Sequence, residues 1–172
     1  PGTGKSYFAC RLAKMISAGY LSSDRIRKEM YKKRTYSDAE KEAVYKEMLT
    51  KMKKAVHENR HVVLDGTFHK SETRKVFIEA MKNKSGVEFI EVETGENIAR
   101  ERLKKSRTYS EADFEIYKII RDHFDPLTEP HLLLQSTNNN IDNMLQQATF
   151  YLKWKHDNTP GKKSDTHGRI SG

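Results

Sequence analysis

The chain has 172 residues, 35% of them hydrophobic and 33% charged, and this length suffices for one domain with a hydrophobic core. No apolar run is long enough to cross a bilayer, and the single cysteine, Cys10, excludes an internal disulfide, so we expect a cytoplasmic protein. The net charge of +8 would suit a nucleic acid partner, but basic residues are spread over most predicted helices, so such a partner is not favoured.

The phosphate loop, as we call residues 1–6, matches the end of the phosphate-binding pattern G-x-x-x-x-G-K-[ST]. The opening glycine of that pattern and the strand before it would precede Pro1, so we expect the sequence to be a fragment that lacks this strand. Glycine lets a loop point consecutive N–H groups at an anion, and a helix that begins near Lys5 adds the positive end of its dipole.

We predict that this loop binds a nucleotide through Gly2, Thr3, Gly4, Lys5, Ser6 and Tyr7. Lys5 would stabilise charge on the β- and γ-phosphates of ATP, and the Ser6 hydroxyl would take one position on Mg²⁺. The alternative is that the loop is only a turn before a helix.

Helical spacing of apolar residues predicts a first helix over residues 5–18, with an inward face of Phe8, Leu12, Met15 and Ile16. Gly19 is expected to end this helix. Residues 20–22 are a short strand candidate, and a second, short helix follows through about Met30.

Asp24 and Arg27 lie three residues apart at the start of the short helix, so both can face one cleft. Asp24 follows a strand end, where an attacking hydroxyl would arrive, and a carboxylate there can take its proton during in-line transfer. Arg27 can hold an anionic group of the substrate. The spacing equally allows that Asp24 is an N-cap and that Arg27 is a surface cation.

Ser37 and Glu40 form a capping-box pattern, in which the Glu40 side chain is expected to bond the N–H of Ser37. A long helix is predicted from there to about Asn59. Its apolar stripe indicates core rather than a ligand surface and consists of Val44, Tyr45, Met48, Leu49, Met52, Ala55 and Val56.

The clearest strand covers residues 61–67, since an unbroken apolar run is typical of a strand buried on both faces. Asp65 closes this run, where its carboxylate would hold Mg²⁺ opposite Ser6. We therefore predict Ser6 and Asp65 as the metal ligands. The alternative is that Asp65 only caps a turn with Gly66.

The rest of the chain is predicted to alternate between helix and strand, at 71–83, 87–93, 96–105, 110–124, 131–135 and from 141 onwards. In the helix over 71–83, the inward residues are expected to be Val76, Phe77, Ala80 and Met81. A basic run that includes Arg102 and Arg107 could supply a mobile arginine to the transferred phosphoryl group, although a run of charge is more often a solvated face.

Alternation of strand and helix indicates an α/β fold, a three-layer αβα P-loop NTPase with a parallel sheet and a ligand at the carboxyl ends of the strands. Four strands are visible, and the strand expected before Pro1 would be central. We expect one domain over residues 1–156 and a disordered tail over residues 157–172, which is rich in polar residues, Pro and Gly.

The sequence resembles the small P-loop kinases of the polynucleotide-kinase, zeta-toxin and gluconate-kinase type, and more narrowly the ATP-binding proteins of the AAA_33 type. The segments that carry the resemblance are P-G-T-G-K-S at 1–6, S-S-D-R-I-R at 22–27, V-V-L-D-G-T at 62–67 and Y-S-E-A-D at 109–113. It implies a nucleoside-monophosphate-kinase-like fold, in which Asp24 is the general base and Arg27 binds a substrate phosphate. It also implies that Thr67 lies beside the acceptor and that Arg102 and Arg107 are lid arginines. It leaves open which of these two arginines reaches the phosphates.

The sequence thus predicts a kinase that moves the γ-phosphate of ATP, with Mg²⁺, to a hydroxyl acceptor. Its predicted catalytic residues are Lys5, Asp24, Arg27, Arg102 and Arg107. The alternatives are a non-catalytic ATP-binding switch and a nucleic acid 5′-end kinase. The identity of the acceptor is not encoded in any motif, because segments of variable sequence select it in such folds.

Overall fold

The structure is a computed structural model that describes residues 1–33, 35, 37–82, 86–104 and 114–157, with no account of the side chains of 154–157. Its elements in chain order are α1 (Lys5–Met15), β1 (Gly19–Ser22), α2 (Ser23–Met30), α3 (Asp38–His57), β2 (Val62–Asp65), α4 (Ser71–Met81), β3 (Phe89–Glu93), α5 (Glu96–Leu103), α6 (Phe114–Asp122), β4 (His131–Gln135) and α7 (Ile141–Asp157). The predicted order is confirmed, whereas most elements are a few residues shorter than predicted. None of the helices in the described part of the chain is long and apolar enough to span a membrane.

The four strands form two parallel pairs, β1 with β2 and β3 with β4. The register sets Ser22 beside Asp65, so β1 and β2 end at the same edge. The predicted parallel pairing is confirmed, but among the described residues the two pairs do not join into one sheet. The central strand expected before Pro1 stays a prediction.

Two hydrophobic clusters hold these elements together. The first packs α1 and α7 against β3 and β4, and its buried members are Phe8, Leu12, Leu134, Met144, Leu145 and Ala148. The second lies between the β1–β2 pair and helices α2, α3 and α4, and its buried members are Ile26, Val44, Met48, Met52, Phe77 and Met81. Because α1 also contacts β1 and β2, this helix connects both strand pairs.

The inward faces of two helices differ from the predicted ones. Val76 of α4 is 52% exposed, and the buried residues of that helix are Arg74, Phe77 and Met81. Met15 of α1 is 56% exposed, since the helix ends at this residue. The predicted stripe of α3 is confirmed, because its buried apolar residues are Val44, Met48, Met52 and Ala55.

The helix α1 ends without the predicted help of Gly19, which is instead the first residue of β1. Ser17 adopts a left-handed conformation with φ of 53°, and the N–H of Ala18 donates to the carbonyl of Ala13 over 2.8 Å. Asn59, which follows α3, likewise has φ of 54°, and the N–H of Arg60 donates to the carbonyl of Ala55. Both ends are Schellman motifs built on a residue other than glycine.

Helix α7 ends at Asp157, the residue at which the disordered tail is predicted to begin, and this tail stays a prediction. Residues 158–172 lie outside the described part of the chain, as does Ser110, the predicted start of the helix that the structure begins at Phe114. The single domain over residues 1–156 therefore stays a prediction.

Candidate functional site

The phosphate loop contains two glycines in a conformation that side chains rarely adopt. Gly2 has φ of 77° and Gly4 has φ of 89°. A Cβ atom on Gly4 would lie 2.9 Å from Ser136 Oγ, and one on Gly2 would lie 3.1 Å from Leu103. The loop therefore needs glycine at both positions, for backbone conformation and for close packing against α5 and the segment after β4.

The helix α1 begins directly at this loop with its first N–H groups free of side-chain caps. Gly4 occupies the N-cap position and offers no side chain, and its carbonyl accepts the N–H of Phe8 over 3.0 Å. Uncapped N–H groups and the positive end of the helix dipole together favour an anion at this position. The loop and α1 thus offer backbone N–H groups to an anion, and the binding of a nucleotide at this loop stays a prediction.

Lys5, Ser6 and Asp65 lie close together, although Asp65 follows the other two by about 60 residues in the chain. The ammonium of Lys5 is 3.4 Å from Asp65 Oδ1 and 3.4 Å from Ser6 Oγ. Asp65 is 3% exposed at the end of β2. The alternative that Asp65 only caps a turn does not account for its ion pair with Lys5.

The charges in this cluster stabilise one another. Burial alone would raise the pKa of Asp65, but the ammonium of Lys5 and the hydroxyl of Tyr20 hold it below its usual range. Burial alone would lower the pKa of Lys5, but the carboxylates of Asp65 and Asp24 raise it above its usual range. Both groups are therefore charged at neutral pH.

Tyr20 is a site residue that the sequence analysis missed. Its hydroxyl donates to Asp65 Oδ2 over 2.7 Å, and the guanidinium of Arg25 lies 4.9 Å from the centre of its ring. Burial and the charge of Asp65 raise the pKa of the Tyr20 hydroxyl well above its usual range. This contact fixes one carboxylate oxygen and leaves Oδ1 directed toward Lys5.

The donor atoms of Ser6 and Asp65 suit a magnesium ion. Asp65 Oδ1 is fully buried beside the ammonium of Lys5, and a hydrogen bond from the Ser6 hydroxyl also lowers the pKa of this carboxyl group. A buried carboxylate oxygen beside a hydroxyl matches the oxygen ligands of Mg²⁺, which usually completes its shell with phosphate and water oxygens. Among the described residues no group of three or more His, Cys, Asp and Glu side chains could hold a metal by itself.

Asp24 and Arg27 form an ion pair on α2, with Arg27 Nη1 3.0 Å from Asp24 Oδ1. Ser22 is the N-cap residue of this helix, so the alternative that Asp24 is an N-cap is wrong. Arg27 is 7% exposed, so the alternative that it is a surface cation is also wrong. Its Nε lies 3.0 Å from Glu40 Oε1. Two carboxylates thus hold the guanidinium in place.

The capping box of α3 forms only in part. Ser37 Oγ accepts the N–H of Glu40 over 3.2 Å, as predicted. The Glu40 carboxylate does not bond the N–H of Ser37, because it is buried against Arg27 and accepts the N–H and the hydroxyl of Thr35. Glu40 therefore connects the start of α3 to α2 at the candidate site.

Arg102 is bound to the backbone of the phosphate loop. Its guanidinium donates to the carbonyls of Thr3 and Thr137 over 3.1 and 2.7 Å, and to Ser136 Oγ over 3.1 Å. These contacts join the loop to the segment after β4, and they differ from those of the predicted lid arginine. Arg107, the other predicted lid arginine, lies outside the described residues.

The loop after β2 is held by the partly buried side chain of Tyr45 and the buried side chain of Arg74. Tyr45 of α3 accepts the N–H of Phe68, and its hydroxyl lies 3.3 Å from Thr67 Oγ1. Arg74, only 1% exposed, donates to the carbonyls of Phe68 and Pro126 over 2.9 Å each. These contacts fix the segment where the resemblance implies an acceptor, and they connect it to the residues after α6.

One large cavity of about 1850 Å³ includes the phosphate loop, Asp24, Thr67 and residues of α3, α4 and α6. Apart from Lys5 and Arg102 at the phosphate loop, its described wall carries five cationic and five anionic side chains. They are Arg25, Arg27, Lys41, Lys46 and Lys70, and Asp24, Asp38, Glu42, Glu72 and Asp125. Among the described residues, the part of the cavity beyond the loop therefore has no surplus of charge.

Comparisons with known proteins identify the family and the fold of this chain. The model of the AAA_33 family, an AAA domain, matches residues 1–127. A "putative kinase" from Chloroflexus aurantiacus has a TM-score of 0.65 at 18% identity, with 90% of this chain and 92% of that chain covered. A gluconokinase from Sinorhizobium meliloti has a TM-score of 0.64 at 13% identity, with 92% and 93% covered. No curated protein sequence matches, and the two structures show that the predicted α/β P-loop fold is correct.

Proposed function

This chain belongs to the AAA_33 family, and we propose that it is a phosphotransferase that moves the γ-phosphate of ATP to a hydroxyl acceptor with Mg²⁺. One observation carries the proposal, namely the meeting of Lys5, Ser6 and Asp65 beside a loop with two left-handed glycines. Such a set suits a triphosphate and its metal ion. Similarity in fold to two kinases supports the same class of reaction.

The phosphate loop and the N-terminus of α1 would hold the β- and γ-phosphates in this reaction. Lys5 would move from Asp65 to the phosphate oxygens, where its charge stabilises the transferred group. Ser6 and Asp65 would hold Mg²⁺, which neutralises charge on the phosphates when bound. Tyr20 would keep the Asp65 carboxylate in the orientation that this role requires.

Asp24 would take the proton of the attacking hydroxyl, since it lies on the wall of the same cavity and its charge acts on Lys5. We assign Arg27 to the positioning of Asp24, because the guanidinium is buried between Asp24 and Glu40. We likewise assign Arg102 to holding the phosphate loop, in place of contact with the γ-phosphate.

Two other functions are weighed against this proposal. A nucleic acid 5′-end kinase would need a basic channel to Asp24, and the balanced charges of the cavity do not favour it. A non-catalytic nucleotide switch would bind ATP in the same geometry. ATP binding without transfer to any acceptor would favour the switch.

Replacing Lys5 tests the proposal directly. We expect Lys5→Ala to lower acceptor-dependent release of ADP by about 10²- to 10³-fold, because a preorganised charge at the phosphates is lost. Lys14→Ala, in the last turn of the same helix, is the matched control and should retain wild-type turnover. Equal turnover by Lys5→Ala and wild type would contradict the proposed function.

A further inference from the structure

Helix α6 has an apolar stripe that belongs to neither hydrophobic cluster of the described residues. Ile116, Ile119 and Ile120 follow one another at the i, i+3, i+4 spacing of a single helix face, and His123, the first residue after the helix, continues this face at i+7. All four line the large cavity, and no residue of α6 is buried. Ile119 is 58% exposed, so the stripe faces the space beside the candidate site.

Contacts at both ends of α6 fix the direction of this stripe. Near its start, the ring of Phe114 lies 4.0 Å from the guanidinium of Arg100 on α5. After its end, Asp125 Oδ2 accepts the N–H of Ser71 over 2.7 Å, and the N–H of Asp125 donates to the carbonyl of His69 over 2.9 Å. The helix therefore spans the cavity from α5 to the loop after β2.

The wall around the stripe is apolar in part and has balanced charge. Val76 of α4, which is 52% exposed, lines the same cavity. Two anions of the wall already pair with its cations, Asp24 with Arg27 and Asp38 with Lys41. An anionic acceptor would have to compete with these carboxylates, whereas a neutral molecule would not.

We propose that the acceptor is a neutral small molecule that carries a hydroxyl group and an apolar portion, and that the apolar portion binds the stripe of α6. The proposal rests on the proposed function, because it places the hydroxyl at Asp24. The hydroxyl oxygen would form a bond to the γ-phosphorus while the bond from that phosphorus to the bridging oxygen of ADP breaks. The hydroxyl proton passes to Asp24, and ADP leaves with the electron pair of the broken bond.

Matched pairs of alcohols test this inference without knowledge of the natural acceptor. Phenyl β-D-glucoside against D-glucose isolates the apolar portion, and thymidine against thymidine 3′-monophosphate isolates the charge. Binding of each to the ATP-loaded chain is measured by saturation-transfer NMR, and release of ADP is measured in parallel. We expect the phenyl glucoside and thymidine to bind more tightly than their partners. Preference for D-glucose, for the nucleotide or for a 5′-hydroxyl oligonucleotide would overturn the inference.

A substitution in the stripe then locates the binding. We expect Ile119→Gln to weaken binding of the preferred alcohol by roughly tenfold, because the loss of one apolar contact in a binding pocket lowers affinity by about this factor. Phe150→Gln, which changes an even more exposed apolar residue outside the cavity, is the control and should leave binding unchanged. Equal losses in both variants, or none in Ile119→Gln, would overturn the inference.

Binding of ATP to the same samples separates the two proposals. In one outcome, the chain binds ATP normally and releases ADP, in a Lys5-dependent way, only in the presence of polar or anionic acceptors. This result would overturn the neutral apolar acceptor and leave the phosphotransferase standing. Failure of the chain to bind ATP would overturn both. Normal ATP binding with an effect of Ile119→Gln on the apolar alcohols alone supports both.

Discussion

The two ends of the cavity are built in different ways. The phosphate end consists of a few consecutive residues of the phosphate loop and the start of α1, which Asp65, Tyr20 and Arg102 join from elsewhere in the chain. The acceptor end consists of side chains from α3, α4 and α6, which lie far apart in the sequence. The difference teaches that the geometry of the phosphate end depends on local backbone conformation, whereas that of the proposed acceptor end depends on the packing of side chains that are distant in the sequence.

Replacement of Asp24 is expected to separate the two ends most strongly. Asp24→Asn should lower the rate of transfer by about 10²-fold or more, because the proton acceptor is lost, and should leave ATP affinity unchanged. Single-turnover transfer and equilibrium ATP binding measure the two quantities. Asp38→Asn changes another carboxylate of the same wall and should keep its activity. Full activity of Asp24→Asn would show that Asp24 is not the base.

The phosphate end should be sensitive to backbone geometry alone. Gly4→Ala is expected to weaken ATP binding by roughly 5- to 150-fold, since alanine is strained at φ of 89° and its Cβ would lie 2.9 Å from Ser136 Oγ. Gly95→Ala is the matched control, because no atom lies within 4 Å of its Cβ position. Isothermal titration with ATP measures both. Similar affinities of the two variants would contradict the backbone explanation.

Tyr20 should affect the metal more than the nucleotide. Tyr20→Phe is expected to weaken Mg²⁺ binding in the presence of nucleotide by about tenfold, because Asp65 loses the hydroxyl that orients it. Displacement of Mn²⁺, followed by its EPR signal, measures the affinity without turnover. Tyr151→Phe, whose hydroxyl donates to Glu88 outside the cavity, is the control. Unchanged Mg²⁺ affinity in Tyr20→Phe would remove Tyr20 from the site.

The smallest effect is expected at the acceptor end, where the contribution of Asp125 to the stability of the folded state should be lost at low pH. The N–H of Ser71 lowers the pKa of Asp125 below its ordinary value of 3.8, so this carboxylate stabilises the folded state above that value. The contribution is lost as the pH falls through the lower pKa of the folded state. Urea unfolding of wild type and Asp125→Asn between pH 7 and 3 measures it. The two curves should converge in acid, and parallel curves would contradict this assignment.

The phosphate end could be predicted from the sequence because its signals are local. Glycines beside Lys5 and Ser6 indicate an anion loop, and an acid after an apolar strand indicates a metal ligand. Tyr20 could not be predicted, since its contact with Asp65 depends on the pairing of β1 with β2. The binding of Arg102 to the loop likewise depends on how α5 packs.

The acceptor end shows why apolar spacing alone can mislead. The rule that apolar residues face inward selects Val76, whereas the helix turns Arg74 into the core, because two carbonyls there accept its hydrogen bonds. The same rule cannot tell whether the stripe of α6 faces core or ligand. Only the position of α6 across the cavity decides this.

Arg74 has a consequence for how the acceptor end opens. Its guanidinium holds the carbonyls of Phe68 and Pro126 together, so neither segment can detach without leaving a buried cation short of acceptors. The loop after β2 and the chain after α6 should therefore open as one cooperative unit. Amide hydrogens in the two segments, although more than 50 residues apart, should exchange with deuterium at a common rate.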